Sequence, residues 1–223
     1  MGCDIHLFCE GYLKGRFDKE KKWINIDHWY RQDGWPEYVI TEYQGFNYTN
    51  LIDGRRDYGL FYLLAGVRGT DEERSYPPIA QAKGLPEQMD SLIKKYYEDF
   101  YGYHMDTIPK TEKENIDVHH ASYLTLRELK DSGYGKIMPL KGWVHKDKLD
   151  EALTAIQNGR KYQTNFIDTK CQNPAFRKGM ILREWDGYIN LNLTDMIGKM
   201  ERLKEERNIE YDDEIRIVFW FDN

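Results

Sequence analysis

Two Asp-x-His triplets offer chemistry: Asp4-Ile-His6 near the start of the chain, and Asp117-Val-His119, which runs on into His120 and Ser122. Residues two apart on a strand point to the same face, so each triplet would set a carboxylate beside an imidazole. That pairing suits acid–base work or metal ligation. Mixed oxygen and nitrogen donors fit a divalent ion such as Zn, Mn, Fe or Mg, and an ion with an open position lowers the pKa of its water for hydrolysis. Asp4, His6, Asp117 and His119 are therefore the candidate catalytic residues. With Asp222 of the terminal Phe-Asp-Asn they form the candidate ligand set. The competing reading of each triplet is a hydrogen-bonded structural unit at a strand edge.

Arginines supply the second set of candidates. Arg55, Arg56, Arg68 and Arg74 lie on either side of an apolar run, and Arg68 and Arg74 fall where guanidinium groups could bind a phosphate bidentately. Asp53, Asp57, Asp71, Glu72 and Glu73 stand nearby, so surface ion pairing competes with that role. The chain lacks Gly-x-Gly-x-x-Gly, the P-loop pattern and Gly-x-Ser-x-Gly, which removes support for a dinucleotide cofactor, a P-loop nucleotide site and a serine elbow. Cys3 and His6, three apart on a strand, would face opposite ways, which disfavours a local nucleophile–base pair. His28, His104 and His145 stand apart from any patterned partner.

These residues need elements to hold them. Ile5, Leu7 and Cys9 alternate with polar neighbours, and Trp23 to Tyr30 resume β-favouring residues, which predicts a hairpin over 4–13 and 22–31. Tyr58 to Ala65 is apolar all round and ends at Gly66, as a short buried helix would. A helix is expected from Pro86 through Tyr101, with Met89, Leu92, Ile93, Tyr96, Tyr97 and Phe100 as its core stripe. Thr125-Leu-Arg-Glu128 is a capping box. Asp147 and Thr194 are expected to cap two further helices. Ile215 to Phe221 read as a strand. If this last strand runs antiparallel to the first, Asp222 comes to rest beside Asp4, and like charges there either bind a cation or repel.

Strands at both ends with helices between them give an α+β fold, its mostly antiparallel sheet joining the N-terminal hairpin to the C-terminal strand. The 223 residues suit a single domain over 1–223, with room for a helical insertion around 142–207. The balance of 38 acidic against 32 basic residues gives a net charge of −6, which opposes a grip on duplex nucleic acid. The longest apolar segment, Leu60 to Ala65, is too short to span a bilayer. Three cysteines without a C-x-x-C pair point to a reducing, cytoplasmic setting.

Met1-Gly-Cys-Asp-Ile-His6, Leu60-Phe-Tyr-Leu-Leu-Ala-Gly-Val-Arg68, Gly84-Leu-Pro86, the Asp117-x-His119 to Leu129 segment and the ending Val218-Phe-Trp-Phe-Asp-Asn223 together resemble a family of small bacteriophage and bacterial proteins. The resemblance implies a phage or prophage context, in the host cytoplasm, and carries no catalytic roles. The expected function is metal-assisted hydrolysis of a phosphoester or nucleotide, with a small phosphorylated ligand as partner. The alternative is a non-catalytic phage protein that binds a nucleotide signal or a host defence protein.

Overall fold

The computed structural model describes residues 2–15, 18–26, 51, 56–69, 76–98, 118–145, 150, 151, 154, 167, 168 and 178–222. The chain divides into two compact units: Met1–Arg56 with Ala82–Glu128 and Met196–Asn223, and Asp57–Gln81 with Leu129–Asp195.

The first unit is built on an antiparallel sheet. Its strands are β1 (Asp4–Leu13), β2 (Lys22–Asn25), β3 (His119–Thr125) and β7 (Ile215–Asp222), in the order β2-β1-β7-β3. The N-terminal strands and the C-terminal strand thus share one sheet, as the α+β expectation requires. Every residue of β7 from Ile215 to Phe221 is buried, because this strand has a neighbour on each side and packing on both faces. Asp4 pairs with Asp222 and His6 with Trp220. The described part of the second hairpin strand ends at Asn25, and residues 27–31 lie outside the described set.

Helix α2 (91–98) covers one face of this sheet, where Ile93 and Tyr96 pack with Phe8, Val118 and Trp220. It starts later than the sequence pattern suggests. Pro86 sits in non-helical chain, and Asp90 opens the helix by accepting from the amides of Leu92 at 2.8 Å and Ile93 at 3.2 Å. Helix α3 (Leu126–Asp131) begins with the expected capping box. Glu128 N–H donates to Thr125 Oγ1 at 3.1 Å, and Thr125 N–H to a Glu128 carboxylate oxygen at 2.8 Å.

The second unit contains α1 (Tyr58–Ala65), capped by the Asp57 carboxylate and closed by Gly66 at φ 74°, a backbone state glycine enters without strain. Its sheet is β4 (Met138–Val144), β5 (Ile167–Asp168) and β6 (Ile181–Gly187), in the order β5-β4-β6. Leu140, Val144 and Trp185 form its core with Tyr76, Met138 and Ile189. Within 142–207, where a helical insertion is one expectation, the described residues hold strand as well as helix. The helix there, α4 (Leu191–Glu206), is capped by Asn190 rather than Thr194. The Asn190 side-chain oxygen accepts from Leu193 N–H at 2.8 Å, while Thr194 lies inside the first turn with its hydroxyl donating to Asn190 O. The cap expected at Asp147 lies outside the described residues.

Candidate functional site

Residues paired across antiparallel strands share a face. Asp4, His6, Phe8 and Glu10 therefore project with Asp222, Trp220, Val218 and Arg216 to the face that α2 covers, while Ile5, Leu7 and Cys9 project to the other with Phe221, Phe219 and Ile217. Three adjacent strand positions thus bring Asp4, His6 and Asp222 to one end of one face.

His6 is held at both ring nitrogens. Its Nε2 lies 3.2 Å from an Asp222 carboxylate oxygen, and its Nδ1 lies 3.1 Å from the Tyr96 hydroxyl. A carboxylate only accepts, so Nε2 carries the proton toward Asp222, and in the neutral ring Nδ1 accepts from Tyr96 O–H. The three groups form a chain from carboxylate through imidazole to phenol. The His6 ring lies 5.4 Å from Trp220 at an interplanar angle of 11°, and Phe8, Tyr96 and Tyr97 surround the same indole. The His6 side chain keeps 13% of its surface exposed and Asp222 26%, so the relay is sheltered yet open at the carboxylate end. Trp220 Nε1 is buried and has no hydrogen-bond partner among the described residues, a donor whose isolation costs about 1–3 kcal/mol.

Asp4 stands apart from the relay chemically. Arg56 donates to both of its oxygens, at 2.6 and 2.8 Å. The Arg56 hydrogen bond holds the Asp4 carboxyl below its ordinary 3.8, with the nearby charges of Arg56 and His6 adding to the effect. A Cβ at Gly2 would overlap the Arg56 guanidinium, so a larger residue there would make this flexible side chain shift.

A second polar constellation on the same face is fully internal. Glu10, with no exposed surface, binds Arg216 at 2.8 Å through Nε and accepts from Asp90 N–H at 2.6 Å. Arg216 also donates to Gln88 O and lies 3.6 Å over the Trp23 ring. Burial pushes the Glu10 carboxyl up against the pull of Arg216 and the Asp90 amide. Every group here is spent on another protein group, so this cluster clamps β1, β7 and the 88–90 segment together.

The sequence candidates are distributed as follows. Asp4, His6 and Asp222 come together. His119 pairs with Phe221, stacking on it at 5.9 Å, and so projects to the opposite face from His6. Asp117 and Arg74 lie outside the described residues. Arg68 belongs to the second unit, 5.6 Å over the Tyr58 ring at φ 61°. Among the described residues, no three His, Cys, Asp or Glu side chains converge as a metal centre. Tyr96, Trp220 and Arg56 are the partners that motif reasoning did not assign to His6 and Asp4. The helical stripe that includes Tyr96 reads in the sequence as core packing, which gave no sign of its bond to His6. No described helix is long and apolar enough to cross a membrane. Compared with protein-family models, curated proteins and solved structures, the chain matches none.

Proposed function

We propose that the protein is a hydrolase of phosphoester or nucleotide substrates whose acid–base centre is the Asp222–His6–Tyr96 relay. The observation that carries this reading is the imidazole fixed at both nitrogens between a carboxylate and a hydroxyl. Tyr96 is buried and Asp222 is the most exposed of the three, so the reacting water meets the relay at the Asp222 carboxylate. As the water attacks phosphorus it passes a proton to Asp222, which His6 Nε2–H holds in place while Tyr96 O–H fixes the ring through Nδ1. The same proton then passes from Asp222 to the leaving oxygen, so the centre ends as it began. Arg56, at the same end of the sheet, is bound by both oxygens of Asp4, so an anionic substrate would compete with that carboxylate for the guanidinium. Resemblance of the chain's opening and ending to phage proteins supports a setting in an infected host's cytoplasm.

The test is a panel of a nitrophenyl phosphomonoester, a bis-nitrophenyl phosphodiester and nucleoside triphosphates, presented to the wild type and to Asp222→Asn. Hydrolysis of one class by the wild type, reduced about 10²–10⁴-fold in the variant, is the expected result. A panel left intact contradicts the reading. A nucleotide recovered bound but unaltered would favour the non-catalytic binder instead.

A further inference from the structure

His119 and His120 open β3 in an arrangement that regular strand geometry forbids. Successive strand residues face opposite ways, yet here the two Nδ1 atoms lie 2.7 Å apart with the rings nearly perpendicular at 84°. The cause is a bulge. His119 pairs with Phe221 and Ser122 with Phe219, so three steps on β3 oppose two on β7, and the extra residue is taken up at His120, whose φ is 51°. That positive φ is uncommon for a residue with a side chain. His119 is half-buried against Phe221 while His120 is exposed, so one donor is anchored and the other faces solvent.

From this geometry we infer that His119 and His120 form a two-nitrogen chelate for a first-row ion of the zinc and copper class. The inference goes beyond the hydrolase reading and does not depend on it, because the pair lies on the other face of the sheet from His6. Two imidazole nitrogens 2.7 Å apart either share one proton or hold one ion between them. Metal–nitrogen bonds of about 2.0–2.1 Å in a tetrahedral site require the nitrogens to stand about 3.3 Å apart, so the pair must open by about 0.6 Å. Rotation of the exposed His120 ring supplies that opening while His119 keeps its stack. Imidazole donors select zinc, copper and nickel over magnesium and calcium, and a two-donor site leaves the remaining positions to water or an incoming ligand.

Cobalt(II), zinc and copper(II) are titrated into the full-length protein, following cobalt absorption, heat and the Cε1–H resonances of the histidines. One ion per chain is expected, with the His119 and His120 resonances moving together. His120→Gly, which accepts the positive φ, and His119→Phe, which keeps the stack on Phe221, should each weaken binding at least about tenfold. His6→Gln should leave the titration as in the wild type. The inference is overturned by absence of binding, by binding that both β3 variants retain, or by binding that His6→Gln removes. The readout is metal occupancy, so failure of the hydrolase reading leaves it untouched.

Discussion

At the scale of single residues, what each polar group already holds decides what its loss costs. Tyr96→Phe removes one hydrogen bond to His6, a net loss of about 0.5–1.5 kcal/mol of stability, and leaves the ring packed against Phe8 and Trp220. If Tyr96 is only a packing residue, that small loss is the whole effect. If it fixes the His6 ring for the proton step at Asp222, hydrolysis falls by about two orders of magnitude while the melting temperature barely moves. The Glu10–Arg216 pair should behave in the opposite manner. Arg216→Met strands a buried carboxylate and should cost about 3–5 kcal/mol in urea unfolding; a loss within the range of an exposed ion pair would contradict the internal clamp. The meeting of Asp4, His6 and Asp222 was legible from two facts, alternation along a strand and antiparallel pairing of the chain ends. Tyr96 was not, because its contact with His6 is made across 90 residues by tertiary packing. Nor could the motif reveal that His119 faces away from His6, since register alone decides which face a triplet presents.

Secondary-structure elements carry the next predictions. Thr125 and Glu128 satisfy each other's amides at the start of α3, so Thr125→Ala should cost about 1 kcal/mol in thermal or urea unfolding. Burial pushes the Glu128 carboxyl up, but hydrogen bonds from Lys83 and from the Thr125 amide outweigh it and hold it below its ordinary 4.5. A carboxyl with a lowered folded pKa stabilises the protein above its unfolded value, and that contribution is lost as pH falls through the folded value. Stability should therefore decline on acidification below about pH 4.5, and Lys83→Met should flatten that limb in melting curves taken across pH. An unchanged acid limb would remove Lys83 from the account. The capping box, the glycine-ended helix and the terminal strand were readable because each is written in a few adjacent residues. The β4–β6 sheet was hidden for the converse reason. In Ile181–Gly187 only Trp185 and Gly187 are buried, too sparse an alternation to announce a strand, and β4 carries Pro139 and Gly142. Helix starts shifted where a polar side chain captured the first amides, Asp90 after the favoured Pro86 and Asn190 ahead of the favoured Thr194.

On the scale of the whole molecule, the first unit is organised around β7, the strand that supplies Asp222, Trp220 and Arg216 to one face and Phe221, Phe219 and Ile217 to the other. Its amides should exchange with solvent only on global unfolding, whereas those of the four-residue β2 should open earlier. Hydrogen exchange resolved by residue checks this order, and early exchange at 217–220 would contradict it. A site anchored on the most protected strand is held by the part of the sheet least free to move, which is what a fixed proton relay requires. The central claim is that the Asp222 carboxylate, held by His6 and through it by Tyr96, moves the proton in phosphoester hydrolysis. The measurement that tests it most directly is hydrolysis by His6→Gln at a temperature where its circular dichroism and melting match the wild type. The account predicts turnover reduced to the rate without protein. Turnover equal to the wild type would show that His6 is a structural residue and that the relay does no chemistry.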